Sequence, residues 1–309
     1  MDLARLSHLF GHHIDGAVLV QDGINKIYRI EKSGAQPRYL RLFRRSGRSR
    51  EEIDFELHLL HQLPDMVGVA VARPLPNVDG ALLSEVLDED ETRLACMFEA
   101  AEGRVPRSDV SDMKQLGQAL AILQEAARRV PLPFSRPMDP SATIRDSISS
   151  LEKIGATGLA IAQQIERECT HLPSTLTRST LPFGPCHGDV WAGNVRMLDE
   201  KVTFFDFDEC GFGPYVMDLA TPAWHLIVQK RSEAGTLWNA FLGGYESQRQ
   251  LHDAEKEVLP CAIMLRHISS LLSLARFCTL PEALWIDTAE RTHSIISGFK
   301  GANPKFGFL

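Results

Sequence analysis

The ten residues CHGDVWAGNV, at positions 186–195, bring several chemically useful side chains into one short segment. Asp189 can accept a hydrogen bond, and then a proton, from an attacking hydroxyl group. Asn194 offers an amide oxygen, a hard ligand that suits Mg²⁺. The segment by itself fits either a catalytic loop or an ordinary polar turn.

A second acidic segment follows in VTFFDFDECGFGPYVMDLA, at positions 202–220. Asp206 stands directly after the apolar run VTFF, so a strand end would deliver its carboxylate. Phosphoryl transfer asks a protein mainly to position the acceptor and to neutralise phosphate charge. Asp189, Asn194 and Asp206 therefore favour a site for a metal ion and a phosphate group.

The segment from about residue 15 to residue 98 has the pattern of a small β-rich lobe. Apolar and β-branched residues flank the turn signals QDG and KSGAQP, which predicts a hairpin and a third strand, RYLRLF. Further strands are predicted around VARPLP, ALLSEV and TRLACMFEA.

One helix is predicted inside this lobe, in SREEIDFELHLLHQL. Ser49 and Glu52 have the spacing of a capping box. An apolar stripe follows at helical spacing, formed by Ile53, Leu57, Leu60 and Leu63. Glu56 lies beside that stripe and needs a partner, because burying a lone carboxylate is costly.

The remainder of the chain is predicted to be mostly helical, with one short hairpin after the CHGDVWAGNV segment. The helical stripe of DVSDMKQLGQALAILQEAARRV is formed by Met113, Leu116, Leu120, Leu123 and Ala127. We therefore predict an α+β, bilobal fold. It has a small antiparallel-β N-lobe with one main helix (1–98), a hinge (99–107) and a larger, mostly helical C-lobe (108–309).

Composition narrows the functional class. The 309 residues are 44% hydrophobic and 24% charged, as in ordinary globular proteins. We expect no membrane-spanning stretch and no signal peptide, which predicts a cytoplasmic protein without a membrane partner. Six cysteines without a CxxC pair indicate free, mostly buried thiols. The net charge of −7 argues against a nucleic-acid partner, and we interpret the basic run RLFRRSGRSR as a solvated loop.

The two acidic segments resemble a known pattern. HGDVWAGN followed by an Asp is similar to the HxDxxxxN pattern that protein kinases share with the aminoglycoside phosphotransferase and choline-kinase-like family. It is closer to the latter, in which HGD replaces HRD. FFDFDECGFGPYVMDLA resembles that family's FxDxxxxxxGxxxxDLA. Within the family, GPYVMDLA and NKIYRI…RYLRLFR…EEIDFEL most resemble the branch of the bacterial stress-response kinase and type II homoserine kinases.

The resemblance implies a protein-kinase-like fold, with ATP and Mg²⁺ as cofactors. It assigns Asp189 as the catalytic base and Asn194 and Asp206 as metal ligands. His187 is expected to hold the loop through a hydrogen bond to backbone near Asp206. Asp218 is expected to cap the helix that follows it and to brace the catalytic loop.

The resemblance also assigns nucleotide contacts in the N-lobe. Arg41 takes the position of the usual phosphate-binding lysine, and Glu56 would be its ion-pair partner. Gly23 and Asn25 belong to a reduced phosphate-covering loop. Backbone groups around Glu99–Ala101 would meet the adenine.

Three further residues have open assignments. Asp208 and Glu209 are either a solvated acidic turn or an extra metal contact or anchor for an amine-bearing acceptor. Trp191 either packs against the acceptor or fills a gap under the loop.

The leading hypothesis is a kinase that moves the γ-phosphate of ATP to a hydroxyl of a small molecule, such as an amino alcohol or amino acid. One alternative is a Ser/Thr protein kinase of the stress-response type. Another is a nucleotide-binding pseudokinase regulator, suggested by Arg41 and by the reduced glycine loop.

Overall fold

The computed structural model describes residues 2–45, 47–89 and 91–299, which fall into two units. The first unit contains the chain up to Val105, together with Arg129–Arg136 and Val195–Asp208. The second contains Pro106–Arg128, Pro137–Asn194 and the chain from Glu209 onward. Ser46 of the arginine run and residues 300–309 of the predicted C-lobe lie outside the described residues.

In the described chain, most strands lie before residue 100 and most α-helices lie after residue 105. The strands are β1 Gly16–Asp22, β2 Lys26–Glu31, β3 Arg38–Leu42, β4 Val69–Val71, β5 Pro74–Leu75, β6 Ser84–Asp88, β7 Glu91–Glu99, β8 Phe183–Cys186, β9 Val195–Leu198, β10 Lys201–Phe204 and β11 Gly211–Pro214. The α-helices are α1 Leu3–Leu9, α2 Arg50–Gln62, α3 Val110–Ala127, α4 Pro140–Leu151, α5 Ala156–Glu168, α6 Leu172–Leu176, α7 Val216–Val228, α8 Ala234–Glu246, α9 Asp253–Phe277 and α10 Glu282–Gly298. Two short 3₁₀ segments are Glu152–Ile154 and Ala192–Asn194.

The first unit is organised around an antiparallel sheet with the strand order β1-β2-β3-β7-β5, and β6 pairs with β7. Leu40 and Leu42 of β3 and Met97 of β7 are fully buried in its core. The predicted antiparallel lobe is confirmed, because alternating apolar residues and turn signals encode local hairpins.

Helix α2 begins as its sequence predicts. The Ser49 side chain accepts from the Glu52 amide at 3.2 Å, and the Glu52 carboxylate accepts from the Ser49 amide at 2.8 Å. This reciprocal cap satisfies two amides that the first turn leaves unpaired. The predicted stripe is buried against the sheet, and Glu56 is buried with it at 0% exposure.

The predicted short hairpin is β9–β10, and its place is not the one that the sequence suggests. Strand β10 pairs in parallel with β4, with Val202 opposite Val69. The hairpin therefore groups with the first unit, although it follows the CHGDVWAGNV segment in the chain. Gly103 lies close to the backbone of β9. Its φ is +107°, and an added Cβ would lie 2.3 Å from the Met197 carbonyl oxygen. The predicted lobe boundaries at residues 98 and 107 stay predictions.

The second unit is mostly helical, with the β8–β11 pair as its small sheet. Every residue of the predicted α3 stripe is buried. The expectation that no stretch could span a bilayer is wrong for α9, whose length and apolar composition would suffice. Half of its most apolar stretch is buried within the protein, and α9 packs against α4 and α7. A core helix of a globular protein has the same composition, because it is apolar on nearly all sides.

A glycine permits the close approach of α3 and α8. A Cβ added at Gly244 would lie 1.9 Å from the Lys114 carbonyl oxygen, whereas one added at Gly243 would meet nothing within 4 Å. We expect Gly244→Ala to destabilise the protein by about 1–3 kcal/mol, because the helices must separate. Gly243→Ala should be neutral or stabilising by up to about 1 kcal/mol. Urea unfolding tests the pair, and equal stability of the two variants would contradict the packing.

Candidate active site

A buried ion pair forms the core of the candidate nucleotide region in the first unit. Arg41 donates to the Glu56 carboxylate at 2.7 Å and to Asp206 at 3.3 Å. Its guanidinium also lies 4.8 Å from the centre of the Phe98 ring. Burial raises the pKa of Glu56 although Arg41 opposes it. Burial alone would lower the pKa of Arg41, but Glu56, Asp206 and Asp208 outweigh it and raise that pKa. We treat the pair as ionised.

Asp206 has an unusual backbone. Its φ is +61°, in the left-handed region, and 45% of its side chain is exposed. Asp tolerates this conformation better than most residues, but it still costs free energy. Strand β10 ends at Phe204, so the turn that follows it carries this partly exposed carboxylate.

A cavity of about 210 Å³ adjoins the ion pair. It is lined by Tyr39, Arg41, Phe98, Glu99, Ala101 and Asp206, among others. The Glu99 amide donates to the Arg73 carbonyl and so is not available to a base. The Ala101 amide has no partner among the described residues, which makes it the better candidate for adenine. A larger cavity of about 670 Å³ in the same unit contains only Glu99 of the predicted site residues.

The predicted phosphate-covering loop is held by acids and arginines. The Asn25 amide donates to Asp208 at 3.0 Å and accepts from the Arg44 amide at 3.1 Å. Asp208 also accepts from Arg48 at 3.3 Å, and its backbone carbonyl accepts from Arg136. The Asp208 side chain is buried and already bonded to Asn25 and Arg48. The structure therefore supports neither a solvated turn nor a contact of Asp208 with a metal or an amine. Burial acts to raise its pKa, but Arg48, Arg41 and Arg136 outweigh that effect and lower it.

The arginine run is likewise not simply solvated, since Arg41 and Arg48 form ion pairs. Gly23 lies at the tip of the β1–β2 hairpin. The structure gives no reason for a glycine there, because an added Cβ would make only an ordinary contact with Gln21.

In the second unit, the Asp189 carboxylate is held from two sides. Asn194 donates to one oxygen at 2.8 Å and to the Asp189 backbone carbonyl at 3.0 Å. Both bonds use the nitrogen of the Asn194 side-chain amide and leave its oxygen out. Arg266, on α9, donates to the other Asp189 oxygen at 2.6 Å. Sequence reasoning missed Arg266.

The CHGDVWAGNV segment is held in place by Asp218. This fully buried carboxylate accepts from the amides of His187 at 3.0 Å and Gly188 at 2.7 Å. It braces the loop as predicted, but it makes no bond that caps α7, because its oxygens are used by the loop. Burial raises the Asp218 pKa, while His187, Gly188 and Gln124 act to lower it.

Glycine is required at position 188. Its φ is +84°, and an added Cβ would lie 2.2 Å from the Glu209 carbonyl oxygen. His187 accepts from the Asp189 amide at 3.3 Å and is buried. Its expected bond near Asp206 stays a prediction.

A buried polar chain behind Asp218 was also missed. Gln124 donates to Asp218 at 3.1 Å and accepts from the Tyr245 hydroxyl at 2.6 Å. Arg249 donates to that hydroxyl at 2.7 Å and to Glu255 at 2.9 Å. Gln124 lies on α3, Tyr245 on α8 and Glu255 on α9, and Arg249 lies between α8 and α9. No local sequence signal could therefore have found this chain of contacts.

Trp191 is partly exposed and lies between Asp189 and Asn194 in the chain. Its ring stacks on His225 with centroids 4.8 Å apart and an angle of 15°. It also covers Gly193, where an added Cβ would lie 2.2 Å from the ring. Desolvation and the charge of Arg266 lower the His225 pKa to about 4, against the opposite effect of Asp189. His225 is therefore neutral at pH 7.

Sequence comparison identifies the family of the chain. A family described as "Phosphotransferase enzyme family" matches residues 16–252. The chain belongs to this family. A homoserine kinase from Neisseria meningitidis serogroup B is 29% identical to this phosphotransferase over 216 residues, which cover 69% of the chain and 68% of the kinase.

Solved structures confirm the predicted protein-kinase-like fold. A microcompartment-associated aminopropanol kinase matches with a TM-score of 0.76 and 24% identity, covering 96% of this phosphotransferase and 94% of that chain. The amicoumacin kinase hAmiN, in complex with AMP-PNP, Ca²⁺ and Ami, matches with a TM-score of 0.75 and 19% identity, covering 96% and 92%. These two structures show that the phosphotransferase shares the fold of kinases of small molecules.

The Arg41–Glu56 pair should be strongly coupled in the phosphotransferase. We expect Arg41→Ala and Glu56→Ala each to destabilise it by about 3–5 kcal/mol, because each leaves the other charge buried. The double variant should cost less than the sum of the two. The exposed pair Arg50–Asp54 on α2 is the control, with an expected coupling below about 1 kcal/mol. Chemical unfolding measures the cycle, and additive losses at Arg41 and Glu56 would refute the coupling.

The neutral His225 predicts acid sensitivity. Since its folded pKa is lowered to about 4, its contribution to stability is complete above about pH 6.5 and is lost as the pH falls toward 4. Between pH 7 and pH 5 the wild type should lose about 1–2 kcal/mol more than His225→Phe. His61→Phe, at an exposed position, is the control. Identical pH slopes in unfolding experiments for wild type and His225→Phe would exclude the effect.

Proposed function

We propose that this phosphotransferase moves the γ-phosphate of ATP to a hydroxyl group of a small molecule that is an amino alcohol or an amino acid. The observation that carries the proposal is the Asp189 carboxylate, oriented by Asn194 at 2.8 Å and Arg266 at 2.6 Å on a loop that Asp218 braces. Relatives named homoserine kinase and aminopropanol kinase support these two acceptor classes.

Asp189 acts as the base in this proposal. Its carboxylate accepts a hydrogen bond from the acceptor hydroxyl and then takes the proton as the oxygen attacks the phosphate. Such assistance contributes roughly 10²–10⁴-fold to the rate. Asn194 and Arg266 restrict the carboxylate to one orientation, so little reorganisation is needed when the acceptor binds.

Asn194 and Asp206 would hold Mg²⁺. One amide oxygen and one exposed carboxylate suit a hard cation that keeps several waters and binds phosphate oxygens as well. That fits the finding that no cluster of three or more His, Cys, Asp or Glu suited to a metal occurs in the described residues. When bound, the ion neutralises charge on the transferring phosphate.

The first unit binds the nucleotide in this proposal. Arg41, held by Glu56, directs its remaining donors to phosphate oxygens, and its planar guanidinium suits that role. The 210 Å³ cavity receives the adenine, with the Ala101 amide as donor. Asn25 acts by holding the loop rather than by touching phosphate. The free cysteines fit a cytoplasmic location, where thiols stay reduced.

Two variants test the assignment. Asp189→Asn should lower kcat by roughly 10²–10⁴-fold and leave the affinity for ATP with Mg²⁺ unchanged. Asp206→Ala should instead remove the Mg²⁺ dependence of nucleotide binding. Asp65→Asn, at an exposed carboxylate of the first unit, is the control. The measurements are ADP release with a panel of hydroxyl acceptors, and calorimetric nucleotide binding with and without Mg²⁺.

The same measurements separate the alternatives. If Asp189→Asn weakens nucleotide binding as much as Asp206→Ala does, Asp189 is a metal ligand and the proposed base is wrong. Nucleotide binding without turnover of any acceptor would favour the regulator. Turnover only with protein serine or threonine would favour a protein kinase.

A further inference from the structure

Arg266 has more hydrogen-bonding capacity than its described neighbours use. Its guanidinium carries five N–H donors, and the bond to Asp189 uses one of them. The Nε donor is buried and has no partner within the described structure. Leaving such a donor unpaired costs free energy, which a ligand with suitable acceptor oxygens would recover.

A chain of contacts fixes the position of Arg266. Thr292 donates to the Thr288 carbonyl and therefore accepts from His267 Nε2 at 3.0 Å. His267 Nδ1 in turn accepts from the Trp224 indole at 3.2 Å. The Arg266 guanidinium lies 5.5 Å from the centre of the Trp224 ring. The guanidinium is thus held on an aromatic support beside Asp189, which is the preorganisation that a binding group requires.

The positive charge at this position comes from Arg266. Desolvation lowers the pKa of His225 to about 4 and that of His267 to about 3, so both imidazoles are neutral at pH 7. Trp191 and Trp224 add uncharged rings. An anionic group next to the acceptor hydroxyl would find a cation here.

We propose that Arg266 binds a carboxylate of the acceptor, so that the preferred substrate is a small hydroxy acid or hydroxy amino acid rather than an amino alcohol. This deepens the proposed function and rests on it. The planar fork of the guanidinium matches a carboxylate in bidentate geometry. A singly charged, compact group also suits a cation whose nearest neighbour is the Asp189 carboxylate, since a dianion would be repelled more strongly.

The position of Arg266 in the chain agrees with a role in specificity. The family match ends at residue 252, and Arg266, His267 and Thr292 all lie beyond it, on α9 and α10. The segment that carries Asp189, Asn194 and Asp206 lies inside the match.

Matched acceptors test the inference. Serine against ethanolamine, and homoserine against 3-amino-1-propanol, differ only in the carboxylate. The wild type should favour each acid by at least tenfold in kcat/KM, because a charged bidentate contact is lost in the amino alcohol. Arg266→Gln should raise KM for the acids by roughly tenfold to a hundredfold, with KM for the amino alcohols changed less than twofold. kcat should fall by a similar factor for both classes, through the lost contact with Asp189.

Two further variants complete the design. Arg266→Lys should recover part of the preference for acids, because it keeps the charge and loses the fork. Arg276→Gln, on the same helix and exposed, should keep the wild-type preference. If Arg266→Gln does not fold, the wild-type acceptor preference and calorimetric binding of 2-aminobutyrate against 1-aminopropane still decide the question, with the acid expected to bind more tightly.

The outcomes separate this inference from the proposed function. Equal use of acids and amino alcohols by the wild type, or a preference for acids that survives in Arg266→Gln, overturns the carboxylate site alone. Phosphorylation of neither class, with ATP and Mg²⁺ bound, overturns the proposed function together with the inference.

Discussion

The conformation of the CHGDVWAGNV segment depends on one buried carboxylate. Asp218 holds two consecutive backbone amides, those of His187 and Gly188, and such amides would otherwise be unpaired in the interior. Gly188 supports the same turn, because its positive φ and its contact with the Glu209 backbone leave no room for a side chain. The polar chain from Gln124 through Tyr245 to Arg249 keeps the Asp218 carboxylate oriented. The position of Asp189 therefore depends in part on interactions that Asp189 itself does not make.

The two arginine–carboxylate pairs have different physical characters. Arg41 and Glu56 are almost fully buried, and one oxygen of Glu56 has no partner within the described structure. Such a pair gives little net stability, but it fixes the direction of the Arg41 guanidinium. Arg266 and Asp189 are partly exposed, at 16% and 21% of their side chains. This pair is accessible to solvent, and it places a carboxylate next to a cation.

Burial changes the meaning of several charged residues. The arginine run between β3 and α2 looks like a solvated or nucleic-acid-binding segment, yet Arg48 and Asp208 pair and Asn25 joins them. Asp208 is therefore part of the support for the β1–β2 loop and is not available to an amine. An acidic turn can thus support a loop that is distant in the chain.

The sequence by itself determined whatever is encoded locally: the α2 capping box with its buried stripe, the hairpins of the first unit and the family motif with Asp189, Asn194 and Asp206. It also predicted that Glu56 needs a partner, because a carboxylate on an apolar face must be neutralised. The tertiary structure alone decided the parallel pairing of β4 with β10, the hydrogen bond from Gln124 to Asp218 and the contact of Arg266 with Asp189. These partners are far apart in the chain, so no periodicity or spacing relates them. Only the packing of whole strands and helices, driven by burial of their apolar faces, brings them within hydrogen-bond distance.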